Sequence, residues 1–410
     1  MQPLAFFTIL APAAMLVALF APKGFALIGA LGGLAAWLLL WRQGRLHALW
    51  ALPSSHVLLG LLGAGLLSAL WSLDAGNTLQ TMQGLGALLI AALGLLGLAQ
   101  LAETDRSALW QRRFALALVL SFAALAALLL LELLTRGGLQ AWLIGLAKGE
   151  PADWVPNRTI RSGVFVTLLL WPSLLAACWL TKRQPAWQRA GLPLLLFGIG
   201  TLAAYASPQV NAKLALAGGG AVFVLVWLGG HIATRLLGGL AILGVLALPF
   251  AMLLWFDASS IIADYPTLHY SAKHRLHVWE FVVQRYAERP WLGWGIDAAR
   301  ILPGADAKLP SGGETLPSHP HNGILQYWLE LGILGGLLLA LAQAAIWRGL
   351  CLPGLNRLGR ATAAAAYGTM VVYFLASFNS WHSWWAGMLA ASAALVIAAT
   401  RLYGRKAAAD

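Results

Sequence analysis

Apolar stretches close to twenty residues long recur along this chain from residue 4 to residue 402, separated mostly by short polar joints. A helix needs about 20 such residues to cross a hydrocarbon core of roughly 30 Å. The recurrence dictates a polytopic, all-α membrane architecture, because lipid leaves no backbone group unsatisfied except in helices or closed barrels. Composition agrees: 60% of residues are hydrophobic and only 10% charged, against about 25% in soluble domains. The net charge of +12 would point to nucleic acid in a soluble protein. In a membrane chain it records topology and anionic lipid head groups, so nucleic acid is excluded as a partner and membrane lipid takes its place.

The hydropathy pattern predicts about twelve transmembrane helices, near 4–21, 24–41, 55–72, 83–101, 113–134, 162–181, 191–207, 213–230, 236–255, 323–347, 360–379 and 384–401. With the first residues cytoplasmic, short cytoplasmic loops collect Arg42, Arg45, Arg112, Arg113, Arg183, Arg348 and Arg357. Short loops decide orientation, so both termini are expected inside. No basic region precedes the first span, which argues against a cleaved leader there. The expected organisation is then helices 1–9 over residues 1–255, a large periplasmic loop over 256–322, and helices 10–12 with a cytoplasmic tail over 323–410. Cys178 and Cys351 fall near cytoplasmic span ends, where thiols stay reduced.

Two long segments, 135–161 and 256–322, break the run of short joints, and long loops on a rigid scaffold are where function concentrates. In the second, Ala272 to Arg289 reads as an amphipathic helix: Leu276, Trp279, Val283 and Tyr286 recur at spacings of three to four. Its Trp and Tyr suit the membrane interface. Pro290, Gly293 and Gly295 end it, and the proline- and glycine-rich stretch 303–320 is expected to be irregular.

Four cations stand where an anionic head group or pyrophosphate would meet them. Arg158 and Arg161 lie three apart at the entrance to the sixth span, Lys213 opens the eighth, and Arg275 sits on the amphipathic helix. Simple interfacial snorkelling is the competing reading for each. From a helix start near His321, the residues Asn322, Gln326 and Glu330 align four apart as a polar stripe in an otherwise apolar span. A carboxylate at that depth must face a partner or a polar cavity, and a hydrogen-bonded packing role is the preferred reading for Glu330. His319 and His321 form a His-x-His pair, yet no second His or Cys cluster has matching spacing. No metal site and no cofactor are therefore expected, and a neutral imidazole better suits a general base.

The string His321-Asn322-x-x-Leu325-Gln326-x-x-x-Glu330-x-Gly332, with His274-Arg275-x-x-x-x-Glu280 and Pro290-x-x-Gly293-x-Gly295 before it, resembles the core of the O-antigen ligase and polymerase superfamily. That superfamily also contains bacterial protein O-oligosaccharyltransferases. The resemblance implies a metal-independent, GT-C-like inner-membrane glycosyltransferase of lipopolysaccharide biosynthesis. It would pass glycan from undecaprenyl pyrophosphate to a lipid A-core hydroxyl, with its active site on the periplasmic side. It makes His321 the candidate base and Arg275 a pyrophosphate contact. Lys213 takes the place of the arginine in a Ser-Arg-Gly-type motif, while Arg158, Arg161, Asn322 and His319 complete the substrate-binding set. A polymerase or a protein O-oligosaccharyltransferase would use the same donor with another acceptor. A lipid-linked oligosaccharide transporter ranks behind both, because the charges gather at one membrane face instead of lining a central path.

Overall fold

The computed structural model describes residues 2–105, 107–148, 156–309 and 313–406, without the side chains of 143, 144, 146–148 and 156–158. Its helices are α1 (Pro3–Phe20), α2 (Phe25–Arg42), α3 (Pro53–Ser68), α4 (Ala75–Gln100), α5 (Ala108–Leu134), α6 (Gly138–Lys148), α7 (Pro156–Thr181), α8 (Ala186–Ala206), α9 (Val210–Trp255), α10 (Ala258–Asp264), α11 (Tyr270–Glu288), α12 (Gly323–Leu350), α13 (Arg357–Ala376) and α14 (Ser383–Tyr403). Among the described residues, nine of these helical stretches are long and apolar enough to cross a membrane, which makes the chain a multi-pass membrane protein. Each expected span falls on a helix. α3 is apolar but short, and two expected spans fall within the 46 residues of α9.

Ends are set by local chemistry. Pro3 and Pro53 open α1 and α3, where the missing N–H costs nothing. Asp74, Ser107, Asn322 and Asn356 cap α4, α5, α12 and α13 by accepting from backbone N–H groups. α1, α2, α4, α5, α7 and α14 close around Phe7, Phe25, Phe114, Phe122 and Phe165, all fully buried. α2 and α14 touch backbone to backbone: a Cβ on Gly29 would lie 2.8 Å from the Cα of Gly387. Small residues permit the close approach that drives helix association in lipid. Ile9, Leu34, Leu228 and Leu254 point outward and are exposed, as the lipid-facing side of such helices requires.

α9 breaks at Gly230, whose φ of 55° and ψ of −130° put a kink between two helices. The carbonyls freed by this break accept from Arg357, through Nε at Trp227 and through Nη2 at Leu228 (3.1 Å). α12 breaks at Gly332 (φ 59°, ψ −148°), leaving 323–331 as a half-helix. Here the 290–297 loop fills the gap. Trp294 and Gly295 donate to the carbonyls of Leu329 (3.0 Å) and Glu330 (2.8 Å), and Ile333 donates to Pro290 (2.8 Å).

The loops separate to two ends. At one, Arg401 and Arg405 pair with Glu103, Asn356 donates to Gly404, and Arg45 donates to Thr104. At the other, Asn77 and Thr81 meet Asp297, Ser162 donates to the carbonyl of Ala18, and Asn211 to that of Ala376. α11 docks at this second end. Its Val278, Val282 and Val283 are buried against Leu302, Leu316, Leu325 and Leu329, so its apolar face is spent on protein.

Candidate active site

Ser377, in the turn between α13 and α14, gathers the second end. Its carbonyl oxygen, which can only accept, lies 2.9 Å from Nδ1 of His321 and 3.1 Å from Nε2 of His319. Its hydroxyl lies 2.6 Å from Nδ2 of Asn211, two residues before Lys213. The two imidazoles are 4.2 Å apart between centroids.

The shared acceptor fixes the tautomers. Nδ1 of His321 must carry the proton, so in the neutral ring Nε2 holds a lone pair that no described residue engages. His319 is used at both nitrogens: Nε2 donates to Ser377, and Nδ1 accepts from the Ser318 hydroxyl at 2.8 Å. It is 7% exposed. Burial, with the neighbouring His321 next, pushes its pKa down to about 3. Burial also lowers His321, the Ser377 bond opposes this, and the Arg275 charge adds to it. Both rings are therefore neutral near pH 7. Among the described residues no three His, Cys, Asp or Glu side chains converge in a way that would hold a metal ion.

His321 does not lie in the first helical turn, as the sequence leads one to expect. It precedes the cap at φ 55°, a left-handed conformation unusual for a side chain of this size. Asn322 is the cap, its Oδ1 accepting from Leu325 N at 3.2 Å, and it is 6% exposed, which makes it a frame for His321. The loop is pinned from the other side by Trp279 of α11, whose indole donates to the Pro320 carbonyl at 2.9 Å.

Arg275, four residues before Trp279, is half-buried with no hydrogen bond or ion pair among the described residues, and burial lowers its pKa. Arg161 stacks on Trp384 at 4.8 Å, with no ion pair to an acid among the described residues. Lys213 lies 6.0 Å from the Tyr205 ring. The backbone of Arg158 belongs to α7, but its side chain lies outside the described residues. Arg161, Lys213 and Arg275 thus share one end of the bundle with His321, on α7, α9 and α11. Unpaired guanidinium groups beside a neutral imidazole suit an anion whose charge grows during reaction and a hydroxyl that must lose a proton.

Glu330 is fully buried in the α12 half-helix. It accepts from Trp381 Nε1, from Gln326 Nε2 (3.2 Å) and from Asp297 N (2.6 Å), the packing role preferred from sequence. The residues missed from sequence are those in the α13–α14 turn, Ser377 and His382, and Arg300, which acts electrostatically on His319 and His382. For Ser377 and His382 the signal is the cluster of Ser377, Asn379, Ser380, His382 and Ser383 set between two apolar spans.

Residues 193–340 match the family model described as O-Antigen ligase, a stretch containing Lys213, Arg275, His319 and His321. A Rickettsia prowazekii protein called "Putative polysaccharide ligase" is 33% identical over 187 residues, covering 44% of this chain and 45% of that protein. Like-named proteins of Rickettsia typhi and Rickettsia felis are 33% identical over 175 residues and 29% identical over 233. These cover 41% and 55% of this chain and 42% and 54% of theirs. The chain thus aligns with about half the length of these relatives.

Proposed function

We propose that this chain, which belongs to the O-antigen ligase superfamily, transfers a glycan from undecaprenyl pyrophosphate to a sugar hydroxyl of lipid A-core at the periplasmic face of the inner membrane. The observation that carries the reading is the His321–Ser377 bond, which leaves the Nε2 lone pair free on a ring that feels the charge of Arg275.

In this mechanism Nε2 of His321 takes the proton of the acceptor hydroxyl as its oxygen bonds to the anomeric carbon. The bond from that carbon to the pyrophosphate oxygen breaks, its electron pair leaving with undecaprenyl pyrophosphate. Attack opposite the leaving group inverts the centre. Arg275, Arg161 and Lys213, with Arg158, hold the departing phosphates, so charge stabilisation requires no divalent ion. Ligase is favoured over polymerase and protein O-oligosaccharyltransferase by the names of the relatives.

Two measurements test this. Deleting the gene should leave rough lipopolysaccharide with long lipid-linked polymer accumulating; cores carrying a single repeat would make the protein a polymerase. In purified protein, Arg275→Ala should lose about 10²- to 10³-fold in kcat, as for one oxyanion donor. Arg275→Lys should recover part, since a point charge lacks the guanidinium fork. Full activity of the alanine variant would remove Arg275 from the mechanism.

A further inference from the structure

Beside the histidine pair, on the side of α4 and α14, a cleft of about 260 Å³ opens, lined by Gln80, Thr81, Asp297, Arg300, Asn379 and His382 among others. The proposed reaction leaves it unassigned. Its wall carries two buried polar atoms without a hydrogen-bond partner, Oδ1 of Asp297 and Nδ1 of His382.

Asp297 is 9% exposed and stands at φ 60°, a conformation that costs an L-residue free energy. Four contacts hold it there: its N–H on Glu330, its carbonyl accepting from Asn77 (3.4 Å), and its Oδ2 accepting from Thr81 (3.1 Å) and Asn77 (3.4 Å). Oδ1 is left over, with Arg300 Nε 4.0 Å away, beyond hydrogen-bond reach. A buried acceptor without a donor costs about 1–3 kcal/mol, so a strained residue that retains one points to a ligand that supplies it.

We infer that this cleft is the subsite for a sugar ring of the acceptor, with Asp297 Oδ1 and His382 Nδ1 taking its hydroxyls and Arg300 donating at the rim. The inference rests on the glycosyl-transfer reading. The chemistry selects a polyol: carboxylate, amide, hydroxyl and guanidinium groups converge on a small volume. It lies just under the roughly 300 Å³ at which pockets for larger ligands begin. A carboxylate repels phosphate, which assigns the pyrophosphate to the unpaired cations and leaves the cleft to a neutral ring. The rings of His382 and His319 are 6.1 Å apart, so an acceptor seated here lies beside the pair that contains the base.

The test uses the full chain in nanodiscs, an undecaprenyl-pyrophosphate oligosaccharide as donor and rough lipopolysaccharide as acceptor. Arg300→Ala and Gln80→Ala alter exposed residues and should fold. Each should raise the acceptor KM about tenfold, the loss of one charged or two neutral hydrogen bonds, with the donor KM unchanged. Asp297→Asn should do the same where it folds. Equal shifts in both KM values, or no shift in either, would overturn the acceptor subsite while leaving the transferase intact. A wild-type protein that transfers nothing from this donor would overturn both readings.

Discussion

At the scale of single residues, His319 and His321 are near neighbours with different work. His319 has both nitrogens occupied and is sealed in protein, whereas His321 has Nε2 open. His321→Ala should therefore cost about 10²- to 10⁴-fold in rate with donor binding retained, and His319→Ala markedly less. Steady-state kinetics with a donor-binding assay checks both, and the reverse ranking would move the base to His319. The pH dependence has a defined sign. Because the folded protein holds the His321 pKa below its ordinary value of 6.5, the neutral base persists as pH falls and activity is lost only on passing the lowered value. The acid limb of kcat/KM, which reports free enzyme, should then lie below pH 6.5. A limb above 7 would exclude His321 as the group titrated. The stripe of Asn322, Gln326 and Glu330 was legible because helical spacing is local. The partnership of His321 with Ser377 joins residues far apart in sequence, and no periodicity encodes it.

At the scale of elements, the site depends on two helices that do not run straight. The length and hydropathy of α9 and α12 were legible, and the two apolar spans read from the sequence on either side of Gly230 correspond to the two helices that meet at the kink there. The break at Gly332 was not legible, because Glu330-Leu331-Gly332-Ile333 reads as ordinary apolar helix until the 290–297 loop is seen to take over its backbone partners. Gly332 combines a φ of 59° with a Cβ position 2.5 Å from the Trp291 carbonyl carbon, so no side chain fits without moving backbone. Gly332→Ala should lower stability on the order of 3 kcal/mol and carry activity down with it. Gly349→Ala, in the same helix with nothing within 4 Å of the added methyl, should be neutral or gain about 0.5–1 kcal/mol. Thermal unfolding in detergent compares them; equal midpoints would mean the break is not required.

At the scale of the whole molecule, the loops at the α11 end hold the His pair together with Arg161, Lys213 and Arg275, and the opposite end holds other cations, some of them paired or bound to carbonyls. Arg401 and Arg405 share Glu103, and Arg357 closes the α9 break. A lipid-linked donor reaches only the face its phosphates occupy, so the orientation of the bundle decides whether the proposed chemistry is possible. Asp306 is exposed at the site end and Arg183 at the other. With Cys178 and Cys351 replaced by serine, Asp306→Cys should react with a membrane-impermeant maleimide in intact spheroplasts, and Arg183→Cys only after permeabilisation. The opposite pattern would place His321 on the cytoplasmic side, away from any acceptor assembled outside, and the proposed transfer would fail with it.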